Sequence, residues 1–161
     1  MAHDLDRALL RLFRTRWHSP LAERSVLAYS RLGEHAALWY LIAAIGLALD
    51  REERATYRRT ITTLAATQLL NSLIKLAVRR ARPLLEDLPP LMPTVSTLAY
   101  PSAHASTSFA AARSLSRVLP SKPLHLAATA MALSRPYLGV HYPSDVAAGA
   151  LLGTAAAEIA A

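Results

Sequence analysis

Between Asp4 and Trp17 the chain reads DLDRALLRLFRTRW, with Leu5, Leu9, Leu12 and Phe13 at helical spacing and Arg7, Arg11 and Arg14 on another face. That periodicity predicts an amphipathic helix lying in a membrane interface, with Trp17 at headgroup depth. A soluble helix packed on a core would carry the same pattern. Arginines break the apolar run and no small-residue cleavage site follows, so the segment is not a secretory signal peptide. Residues 1–24 form the predicted interfacial segment.

Five further apolar segments follow: Ala36 to Leu49, Thr60 to Val78, Ala103 to Leu119, Leu124 to Val140 and Val146 to Ala157. The first is uninterrupted, and extended backward through Leu27 to His35 it is long enough for a span, which needs about 20 residues. The third carries Arg113 and Arg117, and several segments are too short or too polar to face lipid all round. Their Ala, Ser, Thr and Gly content suits close helix packing, with polar positions turned to the bundle interior. Prolines at Pro83, Pro89 to Pro93, Pro101, Pro120, Pro123, Pro136 and Pro143 fall at the predicted helix ends. There is no internal repeat, no low-complexity linker and no alternation long enough for a sheet. The expected fold is all-α: one domain over residues 1–161, a compact polytopic membrane bundle of about five spans plus the N-terminal interfacial helix. The alternative from the same pattern is a soluble helical domain.

Composition sharpens this picture. The 161 residues are 53% hydrophobic but only 6% aromatic, so the apolar content is small and aliphatic, as in Ala- and Leu-rich helices. That excludes a disordered tail, and the absence of cysteine excludes a disulfide scaffold, a thiolate nucleophile and a cysteine-type zinc site. A net charge of +7 leaves nucleic acid, an anionic membrane surface or a phosphate-bearing substrate as partners. Neither a basic stripe interleaved with aromatics nor a helix-turn-helix spacing is present, and the mean hydropathy of +0.23 favours membrane and phosphate over nucleic acid.

Three short stretches carry candidate chemistry. The second apolar segment ends in KLAVRRARP, where Lys75 and Arg82 are seven positions apart, about two helical turns, with Pro83 stopping the predicted helix. A Lys point charge and a planar Arg fork on one face suit a phosphate, although arginines after a span also act as topology determinants. Tyr100-Pro101-Ser102-Ala103-His104 opens the next helix. Proline at its first position would leave the N–H groups of Ser102, Ala103 and His104 free for an anion, beside the Ser102 hydroxyl and the His104 ring. Finally, Ser134-Arg135 precedes His141, with Asp145 four residues further on and Pro143 at the start of the last helix. An Asp one turn from a His can hold the ring tautomer so that the other nitrogen attacks or accepts a proton.

If the segments are antiparallel neighbours, the ends bearing Lys75, Arg82, His104, Arg135 and His141 all emerge on one side. Three cations, two imidazoles, one carboxylate and a helix N-terminus at one end of a bundle describe a site that binds a phosphate and cleaves its ester without a metal.

These stretches resemble, in order, the three signatures of the type 2 phosphatidic acid phosphatase superfamily. Lys75 to Arg82-Pro83 is similar to its lysine, six residues, arginine-proline. Pro101-Ser102-Ala103-His104 is similar to proline-serine-glycine-histidine, with Ala103 in the glycine's place, a helical position that tolerates alanine. Ser134-Arg135, five residues, His141, three residues and Asp145 complete the third.

The resemblance implies that His141 attacks phosphorus, Asp145 orients it, and His104 protonates the leaving group and then activates water. It assigns the phosphate oxygens to Lys75, Arg82, Arg135, Ser102 and the Ala103 backbone. It implies no metal and no cofactor. A site at the bilayer edge suits a lipid phosphate, and the compact Arg- and Ala-rich form resembles actinobacterial members that act on polyprenyl phospho-sugars such as decaprenylphosphoryl-5-phosphoribose. Undecaprenyl pyrophosphate, phosphatidylglycerophosphate and phosphatidate remain competing substrates.

Apart from the three site cations, Arg7, Arg11, Arg14, Arg16, Arg24, Arg31, Arg79 and Arg80 fall on the site side, and Arg51, Arg54, Arg58, Arg59, Arg113, Arg117 and Lys122 on the other. By the positive-inside rule the balance tips to a multi-pass plasma-membrane protein with a cytoplasmic site. A non-catalytic lipid-phosphate-binding subunit is the alternative from another class, against which the complete set of site residues argues.

Overall fold

The computed structural model describes residues 2–161, and among them there are only helices and loops. The helices are α1 (Ala2–Thr15), α2 (Pro20–Leu32), α3 (Ala37–Leu49), α4 (Arg54–Val78), α5 (Ala103–Leu115), α6 (Ser121–Tyr137) and α7 (Pro143–Ile159), with a 3-10 turn at Glu34–Ala36 between α2 and α3. The all-helical expectation is met.

At the centre lies α5, a run of Ala, Ser and Thr almost wholly buried, packed most extensively on α7 and then on α6 and α4. Small residues allow that burial. A Cβ added at Gly149 of α7 would come within 2.5 Å of the Ser102 carbonyl oxygen, and one at Gly153 within 1.9 Å of the Ser106 carbonyl oxygen. The Gly149-xxx-Gly153 face therefore lies against the backbone of α5 itself, the geometry that small residues one turn apart permit between membrane helices. Polar ties fix the register: Asn71 of α4 donates to the Pro101 carbonyl and to Ser106 Oγ, and Trp39 Nε1 of α3 donates to Ser108 Oγ. The main apolar cluster, with Trp39, Tyr57, Leu64, Leu115 and Leu124, fills the remaining space between α3, α4, α5 and α6.

The outside of the bundle is aliphatic, with Leu41, Ile45, Leu69, Leu73, Leu76, Leu126 and Leu151 exposed. Among the described residues only α4 is long and apolar enough to cross a bilayer on its own; α2 and α3 together form a second candidate, bent by 52°. The expectation of about five spans is therefore met only in part, because α5, α6 and α7 are short helices whose Ala-rich faces are spent on one another.

Other boundaries also differ from expectation. Residues 1–24 divide into two helices, and α1 does not merely lie on a surface: Asp6, Leu10 and Arg14, one face at intervals of four, are buried on the bundle, while Leu5, Leu9 and Leu12 face outward. The helix bearing Lys75 stops at Val78, not at Pro83. Arg79 adopts the left-handed conformation and turns the chain, after which residues 80–82 run beside residues 97–99. Arg82 therefore projects from an extended segment rather than from the helical face of Lys75. Pro101 precedes α5, which begins at Ala103 with Ser102 as N-cap, and α5 ends at Leu115 rather than Leu119.

Gly153→Val forces the α5 backbone away from α7, and overpacking of this kind costs about 1–3 kcal/mol. Thermal unfolding in detergent should show a clearly lowered midpoint for Gly153→Val, and nearly the native midpoint for Ala155→Val on the exposed face of the same helix.

Candidate active site

The α5–α7 contact brings two helix N-termini together, and the Ser102 N–H donates to the Asp145 carbonyl oxygen at 2.9 Å. Around this junction lies a cavity of about 260 Å³ whose wall includes Lys75, Arg82, Ala103, His104, Arg135 and His141. Residues separated by up to 66 positions in the chain thus share one wall, as antiparallel packing of the helices requires.

His141 sits in the turn between α6 and α7, almost fully buried. Its Nε2 accepts from Arg82 Nη1 at 3.1 Å, which leaves the ring proton on Nδ1. Nδ1 faces Asp145 Oδ2 at 3.6 Å and has no other partner. Burial, and then the positive charges of Arg82, Arg135 and Lys75, hold the imidazole well below its ordinary range, so it is neutral and its Nε2 carries the lone pair that Arg82 engages here.

Asp145 is fully buried in the first turn of α7. Its Oδ2 accepts from the Tyr142 N–H, as an acidic N3 residue commonly does at a helix start. Its Oδ1 accepts from Arg80 Nη1 at 2.8 Å.

The cations are held by backbone and by one serine. Arg82 donates through Nε to the Ser96 carbonyl and through Nη1 to the Val140 carbonyl. Lys75 Nζ donates to the carbonyls of Leu98 and Ala99. Arg135 Nη1 donates to Ser30 Oγ, while its buried Nε has no partner. His104 Nε2 lies 3.2 Å from the Ser30 carbonyl oxygen, its acceptor, so that Nδ1 is the nitrogen left for the cavity. The N–H groups of Ala103 and His104 have no acceptor among the described residues.

One candidate stands apart. Ser102 is fully buried and is not on the cavity wall; its N–H is taken by Asp145 and its hydroxyl has no partner. The free anion-facing N–H groups expected at this helix start are therefore those of Ala103 and His104 only.

Two residues were missed by sequence reasoning. Ser30 lies in α2, far from any of the three stretches, and holds both His104 and Arg135. Arg80 reads as one of several topology-setting arginines, yet its guanidinium bonds Asp145. No local signal distinguishes Ser30 from Ser25 five residues earlier, nor Arg80 from Arg79.

Ser30→Ala removes the acceptor of a buried Arg135 and should cost about 1–3 kcal/mol, read as a lowered unfolding midpoint in detergent with reduced kcat/KM. Ser25→Ala, exposed on the same helix, should leave both unchanged.

Residues 56–161 match the PAP2 superfamily. The chain is 39% identical over 131 residues to decaprenylphosphoryl-5-phosphoribose phosphatase of Mycobacterium tuberculosis, covering 81% of this chain and 73% of that protein. It is 38% identical over 122 residues to the Mycolicibacterium smegmatis enzyme of the same name, covering 76% and 68% respectively. Among solved structures it is similar to Aquifex aeolicus LpxE, with a TM-score of 0.83, 28% identity and coverage of 97% of this chain and 94% of that one. It also shares its fold with a transmembrane PAP2-type phosphatidylglycerolphosphate phosphatase from Bacillus subtilis, with a TM-score of 0.79, 22% identity and coverage of 99% and 84%. By the family model and these relatives, the chain belongs to the PAP2 superfamily, as a lipid phosphatase.

Proposed function

We propose that this phosphatase hydrolyses the phosphate ester of a polyprenyl-type lipid, with decaprenylphosphoryl-5-phosphoribose as the preferred class, through a phosphohistidine intermediate. The observation that carries the chemistry is the neutral, buried His141 with its Nε2 turned to Arg82 and its Nδ1 to Asp145 on the wall of a cationic cavity. The substrate class rests on the curated mycobacterial relatives.

In this reading the lipid phosphate enters among Lys75, Arg82 and Arg135, and the N–H groups of Ala103 and His104 take a non-bridging oxygen at the start of α5. Ser102 supports that helix start from behind the wall. His141 Nε2 attacks phosphorus as the ester P–O bond breaks, and His104, which takes up a proton once the phosphate dianion offsets the surrounding arginines, gives that proton to the departing alkoxide. The positive charge that forms on His141 is balanced by Asp145, through the Nδ1–H already directed at it. His104, now neutral, removes a proton from water, the resulting hydroxide attacks phosphorus, and the P–N bond breaks to release phosphate and restore His141. The fixed cations stabilise the charge on the transferring group, so no metal is required.

The membrane setting follows the same reading. The exposed aliphatic belt and the outward Leu5, Leu9, Leu12 and Trp17 support a multi-pass bundle whose site opens at the interface, with α1 lying along it. The balance of basic residues supports a cytoplasmic site in the plasma membrane.

Phosphate release should be measured across a panel of polyprenyl phosphate, polyprenyl pyrophosphate, phosphoribosyl lipid and phosphatidate. The phosphoribosyl lipid should be the best substrate, and a clear preference for phosphatidate or the pyrophosphate overturns the substrate assignment. His141→Ala should lower turnover by at least about a thousandfold while the protein remains folded; full retention of activity would sink the mechanism. EDTA should leave activity intact and vanadate should inhibit it. Single cysteines at Ser19 and Arg54, probed with an impermeant thiol reagent in intact cells, should label at Arg54 only if the site is cytoplasmic.

A further inference from the structure

The carboxylate that faces His141 is not held by its own helix alone. Arg80, just past the end of α4, spans two acids: Nη1 donates to Asp145 Oδ1 at 2.8 Å and Nη2 to Asp6 Oδ2 at 2.6 Å. Its guanidinium also lies 4.4 Å over the Tyr142 ring, and Nη1 donates to Ser144 Oγ. Asp6, on the buried face of α1, closes the network by accepting from the Ser144 N–H at 3.0 Å and from the Ser144 hydroxyl. Burial by itself would raise the Asp6 carboxyl, but hydrogen bonds from Ser144 and Arg80 hold it below the ordinary carboxylate range, so it is ionised.

This arrangement has a directional consequence. A carboxylate has two oxygens, and Arg80 engages Oδ1 of Asp145 while the Tyr142 N–H engages Oδ2, fixing the plane in which Oδ2 meets His141 Nδ1. A fully buried Asp145 requires a nearby cation, and Arg80 is the cation bonded to it. Arg80 in turn is partly exposed and carries a long flexible stem. Asp6 occupies its second nitrogen, and a fork with both prongs bonded is confined to one geometry.

We propose that Asp6 and Arg80 are positioning residues for the catalytic pair, Arg80 aiming Asp145 at His141 and Asp6 holding Arg80 in place, so that docking of α1 on the bundle completes the active site. The proposal rests on the roles of His141 and Asp145 given above. Neither Asp6 nor Arg80 is on the cavity wall, so they act on the imidazole and not on the phosphate. Their loss should therefore appear in kcat, with substrate binding by Lys75, Arg82 and Arg135 left in place.

The test uses the full chain in detergent and whichever member of the lipid phosphate panel the unaltered protein cleaves fastest. Asp6→Asn should lower kcat about tenfold with KM within about twofold, and Arg80→Gln should lower it further, also with KM little changed. Because both act through one network, the double variant should be no slower than Arg80→Gln alone. Arg11→Gln, which breaks the exposed pair between α1 and Asp87, should retain native kcat. The proposal is overturned by additive losses, by a change confined to KM, by native kcat in Asp6→Asn, or by an equal loss in Arg11→Gln, which would mean that α1 matters only as a weight on the fold. Should Arg80→Gln not fold, the cycle of Asp6→Asn with Arg80→Lys, which keeps the charge but not the fork, carries the same comparison. Full turnover by His141→Ala, or none by the unaltered protein, would overturn the underlying mechanism instead, and so separates the two failures.

Discussion

The close approach of α5 to α7 is the constraint on which the rest of the molecule depends. With Gly149 and Gly153 on one side and the backbone at Ser102 and Ser106 on the other, the two helices meet nearly backbone to backbone, with only the Ala105 methyl beside Gly149. Their N-termini are then near enough for the Ser102 N–H to bond the Asp145 carbonyl. Since His104 stands in the first turn of α5 and His141 just ahead of α7, the same contact that makes the core brings the two imidazoles to one cavity. Core packing and site assembly are one event here.

A cationic cavity inside a helical bundle is electrostatically unfavourable unless every buried polar group has a partner. The chain meets most of this requirement with irregular backbone. The carbonyls of Ser96, Leu98, Ala99 and Val140 take the donors of Arg82 and Lys75, which is why the proline-rich segment between α4 and α5 folds back beside residues 80–82. Ser30 in α2 takes Arg135 and His104. Of the buried groups left without partners, Arg135 Nε and His141 Nδ1 belong to residues of the cavity wall, where a bound phosphate and a charged imidazole would use them. The N-terminal helices thus form an outer layer around the machinery: α2 satisfies one half of it and α1, through Arg80, the other.

The helix end carrying Lys75 shows where one-dimensional reading fails. A period of 3.6 extended through KLAVRRARP sets Lys75 and Arg82 on one helical face, and the two do meet at one cavity, but by another route. Arg79 leaves the helix in a left-handed turn, and pairing with residues 97–99 positions Arg82. The partner segment lies more than a dozen residues away in sequence, so no local window contains it. The same holds for α1: its apolar stripe of Leu5, Leu9 and Leu12 is legible as a membrane-facing pattern, whereas its buried face carries Asp6 and Arg14, charged residues that propensity alone would turn to water. Their burial is intelligible only once Arg80, Ser144 and the carbonyls of Pro89 and Tyr137 are known to receive them.

By itself the sequence determined the helical class and gathered the candidate groups at one end of the bundle, because helical period and short motif spacing are local properties. Lys75, Arg82, His104, Arg135 and His141 needed no contact information to be named. What only the tertiary structure decided was how these groups are held: Ser102 behind the wall rather than on it, Ser30 beneath His104 and Arg135, and Asp6 reaching Asp145 through Arg80. Those are hydrogen bonds between residues 43 to 105 positions apart. Their geometry is set by the packing of small side chains, and no local pattern in the chain encodes it.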